Sequence, residues 1–346
     1  MFFFFLPWGH DQPVYERPWL TYTLVGLCAL VFAFTWSMEE RAEVQLEEAV
    51  VQIDSVLETH PDARVHLTIS GLPRRIEEIL APLITSDARR PAKAGDAELE
   101  VAVRQLVVAL NHMPAFAYGF QPGAPRLGRV FSHMFVHGGL GHLLGNMLFL
   151  WLAGGVLECF WRRWAYLALY FASGLAGLAA HFASGPDSLV PVVGASGAIA
   201  GLLGAFVVGY PRTRIKVVWF GFLFVQPLFG NWKVPAWVLI PLWALIEVAN
   251  AYLGGQDEGV AHWAHVGGFA CGALVALAAR RMNLVATDAG HEVAAGVPVE
   301  RAAAPAAPRA PLAELPLPEP RVTAPSRPLE IDASELPAHE DDVIER

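Results

Sequence analysis

Charge is scarce in this 346-residue chain: Asp, Glu, Lys and Arg make up 16% of it, where a soluble domain carries about a quarter. Hydrophobic residues make up 54%, and mean hydropathy is +0.40. That balance excludes an ordinary soluble globule and points to a membrane protein. Cysteine is nearly absent. Cys28, Cys159 and Cys271 are odd in number and sit in or beside apolar runs. They read as small buried hydrophobes, not as a disulfide framework. No basic surface stands out and the net charge is −9, so a nucleic-acid partner is not expected. No H-E-x-x-H occurs, and no carboxylate lies among His133, His137 and His142. Neither a metal nor another cofactor is therefore expected. The opening "MFFFFLPWGHDQ" lacks a basic n-region and its apolar run is short, so it does not read as a signal peptide.

Long apolar runs are what the chain has instead. Crossing about 30 Å of hydrocarbon takes about 20 apolar residues. Six stretches qualify: 19–37, 137–157, 164–184, 193–210, 234–253 and 262–280. The run "VVWFGFLFVQPLFG" (217–230) is short and broken by Pro227; it reads as an interfacial or re-entrant piece, with a seventh span as the weaker option. Basic residues cluster at Arg162–Arg163, at Arg212, Arg214 and Lys216, and at Arg280–Arg281. With six spans these fall on one side, which the positive-inside rule makes cytoplasmic. Both termini are then cytoplasmic, and Ser196 lies near the extracytoplasmic face.

Residues 38–118 form a polar extracytoplasmic insert. Leu46/Val50/Ile53/Leu57, Ile76/Leu80/Leu83 and Leu99/Val103/Leu106/Leu110 recur at spacings of 3 and 4, the mark of helices with one apolar face. From 284 to the end, ten of the 26 prolines stand among alanines and acids. Such a segment buries too little apolar surface to offset its ordering entropy, so it is expected to be disordered. The expected organisation is an N-terminal cytoplasmic segment 1–18, a first span 19–37, the insert 38–118, a five-span core 119–283 and a tail 284–346.

Polar side chains within hydrocarbon face the bundle interior or a water-filled cavity. Ser196 opens the fourth span, His142 and Asn146 share one face of the second, and His265 lies in the sixth. All four fall toward the same membrane face. Each has a plain reading when taken alone. Serine is common at helix contacts in membranes, a single histidine is often hydrogen-bonded core, and His142 and Asn146 can bond each other. A soluble-hydrolase G-x-S-x-G fits only in part, since position 198 is Ala. Yet Gly268-x-x-x-Gly272 follows His265, and Gly194, Gly197 and Gly201 surround Ser196. Two helices stripped of bulk, one bearing a hydroxyl and one an imidazole, can bring a nucleophile to its base.

The segments "FSHMFVHGGLGHLLGNMLFLW", "GASGAIAG" and "WAHVGGFACG" resemble, in order and placement, the rhomboid family of intramembrane serine proteases. The likeness covers roughly 120–280, together with "FLPWGHDQPVYERPWLTYTLVGLCALVFAF", which is similar to the first span of many bacterial members. The resemblance implies an all-α bundle of six transmembrane helices in a bacterial inner membrane. It makes Ser196 the nucleophile and His265 the base and then acid, as a dyad with no third carboxylate. Asn146, His142 and the Ser196 N–H would support the oxyanion. Gly194, Gly197, Gly268 and Gly272 would be structural. Arg129 would order the first loop, and Glu158 would cap the far end of the second span. The family often carries an aromatic four residues after the nucleophile, stacked on the histidine, and another before the arginine. Here these positions are Ala200 and Gly128.

The expected activity is cleavage of single-span or polytopic membrane proteins within the lipid bilayer, near their outer ends. The alternatives are an inactive rhomboid-like protein that binds membrane clients, and a transporter or channel.

Overall fold

Apolar chain in a bilayer must pair its own backbone N–H and C=O groups, which favours helices. The computed structural model describes residues 3–285, except 13, 15, 67–75, 77–79, 86–89, 224–225 and 254–258. The tail expected to be disordered lies outside the described residues, apart from Leu284 and Val285. Five helices are long and apolar enough to cross a membrane. They are α1 (Trp19–Thr59), α3 (Leu140–Phe160), α4 (Arg163–Ser184), α6 (Ala236–Leu253) and α7 (His262–Arg281). A sixth apolar helix, α5 (Ser196–Gly209), has only 14 residues. It stands among the others with every residue from Gly197 to Phe206 buried. The protein is thus mostly helical, a polytopic bundle, with its centrepiece shorter than a full span.

Two features lie outside the sequence reading. First, α1 runs unbroken for 41 residues, about 60 Å. The first span and the first helix of the insert are one rod, with no turn near residue 38. Second, residues 217–223 and 226–230, read as an interfacial or re-entrant piece with a seventh span as the weaker option, are strand and not a spanning helix. β1 (Phe3–His10), β2 (Arg214–Leu223) and β3 (Gln226–Pro235) make an antiparallel sheet in that order. Phe3 pairs with Gly221, and Arg214 pairs with Pro235. A short run of β-branched and aromatic residues suits a strand, and periodicity alone cannot tell it from a buried helix. Pro7, Pro227 and Pro235 all sit on the outer strands β1 and β3, where a missing N–H is tolerated. Central β2 has no proline.

Among the described residues, two apolar cores are large. One lies in the bundle, where Leu150, Val156, Leu157, Tyr166, Tyr170, Leu202 and Phe206 meet. The other lies in the insert, where Ala49 and Ile53 of α1 meet Leu99, Val103, Leu106 and Leu110 of α2 (Asp96–His112), with Ile76, Leu80 and Leu83. Asp96 opens α2 and gathers donors: the Arg90 guanidinium and the N–H groups of Lys93 and Arg64. These hold its carboxyl well below the usual carboxylate range, the Arg90 contact first.

Within the bundle, α5 and α7 touch backbone to backbone. A Cβ on Gly268 would strike the Gly197 carbonyl, and one on Gly272 the Gly201 carbonyl. Neither obstacle is a side chain that can swing away. Gly272→Ala is therefore expected to force the helices apart at an overpacking cost of about 1–3 kcal/mol, read as a lower thermal midpoint in detergent. In the insert, Asp96 holds its proton more weakly folded than unfolded. Its contacts stabilise fully above the unfolded carboxylate range of about pH 4 and are lost as pH falls toward the folded value. Asp96→Asn should remove part of the acid sensitivity of α2, measured as backbone protection of 96–112 at pH 6 and at about pH 3.

Candidate active site

The chain turns into α5 at Gly194, whose φ of +108° favours glycine. A Cβ there would also meet His142 Nε2 at 2.7 Å and Asn146 Nδ2 at 3.2 Å. The Gly194 N–H donates to the His133 carbonyl at 2.8 Å, which ties the turn to the loop before α3. Burial pushes His133 down to about 4. It stays neutral, and its Nδ1–H donates to the Arg129 carbonyl at 3.1 Å. With Ala195 as the N-cap, Ser196 is the first residue of α5. The first N–H groups of a helix have no acceptor within it, and the helix dipole favours an anion there.

The close approach of α7 sets the next distance. His265 lies in the first turn of α7, and its Nε2 stands 2.8 Å from Ser196 Oγ. This is hydrogen-bond reach for a hydroxyl and its base. His142 and Asn146, one turn apart on α3, line a cavity of about 540 Å³ together with Ser196, His265 and His181. Asn146 is only 7% exposed, yet its Nδ2 has no partner among the described residues. That amide therefore does not donate to His142; it remains a buried donor on the wall of the cavity that Ser196 also lines. Below, Phe149, Leu203 and Trp243 separate this cavity from an apolar one of about 160 Å³ bounded by β1, β2 and α6.

The other motif residues lie outside the cavity. Gly197, Gly268 and Gly272 form the α5–α7 contact. Arg129 donates to the Gln121 side chain, whose amide reaches the Leu189 carbonyl, so it braces loops near the site. Glu158 is buried at the opposite end of the bundle. Its two oxygens accept the N–H groups of Leu20 and Thr21 at 2.8 and 2.7 Å and the Thr21 hydroxyl at 2.9 Å. It closes the end of α3 by capping the start of α1.

Three residues at the site went unread in the sequence. Glu247, on α6, accepts hydrogen bonds at Oε2 from Nδ1 of His265 at 2.7 Å and Nδ1 of His262 at 2.8 Å. A carboxylate therefore does reach the imidazole, from a helix that carries none of the three motifs. The available signal was its isolation: Glu247 is the only charged residue between 236 and 253, and an ionisable residue inside an apolar span marks a site by default. Trp243, one turn earlier, places its ring 6.1 Å from that of His265 at 38°. His181 of α4, 9% exposed, lines the same cavity. The histidine run considered for metal is not what gathers. The described donors closest to one another are Glu247, His262 and His265, at hydrogen-bond distances.

Residues 124–282 match the family model described as Rhomboid domain. The chain is similar to RHOMBOID-like protein 4 of Arabidopsis thaliana, 33% identical over 153 residues, which are 42% of this chain and 32% of that protein. It is similar to Rhomboid protease GluP of Bacillus subtilis (strain 168), 38% identical over 79 residues, 23% of this chain and 15% of that one. Rhomboid-related protein 1 of Caenorhabditis elegans is 30% identical over 152 residues, 42% of this chain and 37% of its own. The matches thus cover well under half the length of each of these relatives.

Proposed function

We propose that this chain, an integral membrane protein with a rhomboid domain over residues 124–282, is an intramembrane serine endopeptidase. One observation carries the reading: Ser196 Oγ lies 2.8 Å from His265 Nε2, in a cavity that also holds the unpartnered Asn146 amide.

In this reading His265 Nε2 takes the Ser196 hydroxyl proton as Oγ attacks a substrate carbonyl carbon. Charge developing on the carbonyl oxygen is met by Asn146 Nδ2, the Ser196 N–H and His142, helped by the N-terminal end of α5. The imidazolium then gives its proton to the departing amine, and water releases the acyl group by the same steps in reverse order. The substrates are membrane proteins, cut where a transmembrane segment leaves its helix, because helical carbonyls are already bonded to N–H groups. Sidedness follows from the basic clusters. Arg162–Arg163, Arg212 and Arg280–Arg281 sit at the helix ends opposite Ser196 and His265. By the positive-inside rule the site faces away from the cytoplasm and both termini lie within it.

Labelling by a fluorophosphonate and cleavage of a single-span substrate test the assignment. Ser196→Ala should abolish both and leave thermal stability nearly unchanged. His265→Gln should also abolish both. His262→Gln keeps a side-chain donor for Glu247 and lies about 60° around the helix from His265, so it should keep most activity. No labelling of the folded wild type would leave client binding without catalysis as the reading. Asn146→Ala should lower kcat with little change in KM. The loss should be smaller than the roughly 10²–10³-fold effect of a lone oxyanion donor, because His142 and the backbone share the role. A change in KM alone would remove Asn146 from the oxyanion site.

A further inference from the structure

We propose that Glu247 completes a Ser196–His265–Glu247 triad: its carboxylate fixes the tautomer of His265 and balances the imidazolium formed during attack. The inference rests on the serine-protease reading above and adds a positioning residue to it.

The hydrogen-bond inventory carries the argument. An ionised carboxylate only accepts. At Glu247 Oε2 both partners are therefore Nδ1–H donors, His265 at 2.7 Å and His262 at 2.8 Å. With its proton on Nδ1, neutral His265 presents the Nε2 lone pair, and Nε2 is the atom 2.8 Å from Ser196 Oγ. Without an acceptor at Nδ1 the ring would be free to take the other tautomer, which has no lone pair to offer the hydroxyl. Among the described residues, Glu247 is the only carboxylate hydrogen-bonded to His265. The other groups facing His265 are His262 on its own helix, His142 from α3, His181 from α4 and Ser196 from α5. Solvation alone does not account for the placement. A carboxylate 9% exposed in an apolar helix needs donors, but a structural pair would not require the acceptor to stand behind the ring nitrogen opposite the nucleophile. One helix also holds the ring twice, since Trp243 flanks its face one turn before Glu247.

The step balances with Glu247 unchanged. The Oγ–H bond breaks, its proton goes to His265 Nε2, and an Oγ–C bond forms as the carbonyl π pair moves onto oxygen. The Nδ1 proton stays on Nδ1, held against the carboxylate. The Nε2 proton then passes to the leaving nitrogen as the C–N bond breaks.

Glu247→Leu and Glu247→Gln test this in the full chain, with kcat and KM on a single-span substrate, thermal midpoints and ¹⁵N spectra of labelled histidine. Leucine removes the acceptor. Glutamine can place its amide oxygen where Oε2 lies and keep both hydrogen bonds without the charge. Glu247→Leu should lower kcat by roughly 10²–10⁴-fold, the upper end matching loss of the buried carboxylate in a soluble triad protease. KM should stay within about twofold, a change in kcat alone marking an interaction made only in the transition state. Glu247→Gln should fall between Glu247→Leu and wild type. The spectra should show His265 protonated at Nδ1 in wild type and a mixture of tautomers in Glu247→Leu. If Glu247→Leu does not fold, a lowered kcat in folded Glu247→Gln carries the same conclusion. Wild-type kcat in either folded variant overturns the proposal, as does activity that a chelator removes and Zn²⁺ restores, which would make the cluster a metal site. Cleavage by Ser196→Ala would instead overturn the protease reading itself. Inactive Ser196→Ala beside fully active Glu247 variants would remove the triad alone.

Discussion

Two helix backbones in direct contact set the geometry of the site. Gly197 and Gly201 of α5 lie against Gly268 and Gly272 of α7, with no room for a Cβ on the α7 side. A serine hydroxyl extends one bond beyond Cβ, so the distance between helix axes decides whether it reaches an imidazole. In lipid, helices gain nothing from hiding apolar surface from water, and close packing of small residues does that work instead. The third helix follows the same rule. A Cβ on Gly201 would strike Ser173 of α4, and one on Gly177 of α4 would strike the Ala264 carbonyl, next to His265. The 14 residues of α5 are thus enclosed by neighbours, and the serine at its start sits at the foot of a cavity.

Two buried carboxylates mark the ends of the bundle. Ionised groups out of water need hydrogen-bond donors, and each finds them differently. Glu158, 4% exposed, takes two backbone N–H groups and a hydroxyl from the start of α1. It supplies the cap that the first turn of α1 otherwise lacks and joins α3 to α1. Glu247 takes two imidazole N–H groups and faces a cavity. Backbone donors fix a carboxylate in place, whereas imidazole donors link it to groups that can carry a proton. The first arrangement suits architecture and the second suits chemistry.

The parts outside the bundle follow the direction of α1 and the ends of α5 and α6. From the Glu158 end, α1 runs antiparallel to α3 and continues as the first helix of the insert. The second apolar core therefore rises from the end of the bundle that holds the cavity. The sheet lies between α5 and α6 in sequence and draws in the N-terminal strand. Ile215 and Val217 of β2 and Pro7, Gly9 and His10 of β1 wall the apolar cavity that meets Phe149, Leu203 and Trp243. Those three side chains form the partition between an apolar compartment and the polar one.

The sequence by itself determined the helical membrane class, because period and length of apolar runs are local properties. It also identified Ser196, His265, His142 and Asn146 as candidates, because polar groups in apolar runs are conspicuous and the glycines beside them signal close approach. The rhomboid likeness rests on those same short segments, and the family match over 124–282 agrees with it. The tertiary structure alone decided the rest. Whether "VVWFGFL" becomes a span or a strand depends on whether β1, over 200 residues earlier, is there to pair with it. The unbroken length of α1 depends on α2 packing against its polar half. Glu247 is visible in the sequence as a lone acid, but which nitrogen it faces is fixed by the packing of α6 beside α7. Eighteen residues of chain separate it from His265, and no periodicity carries from one helix to the next.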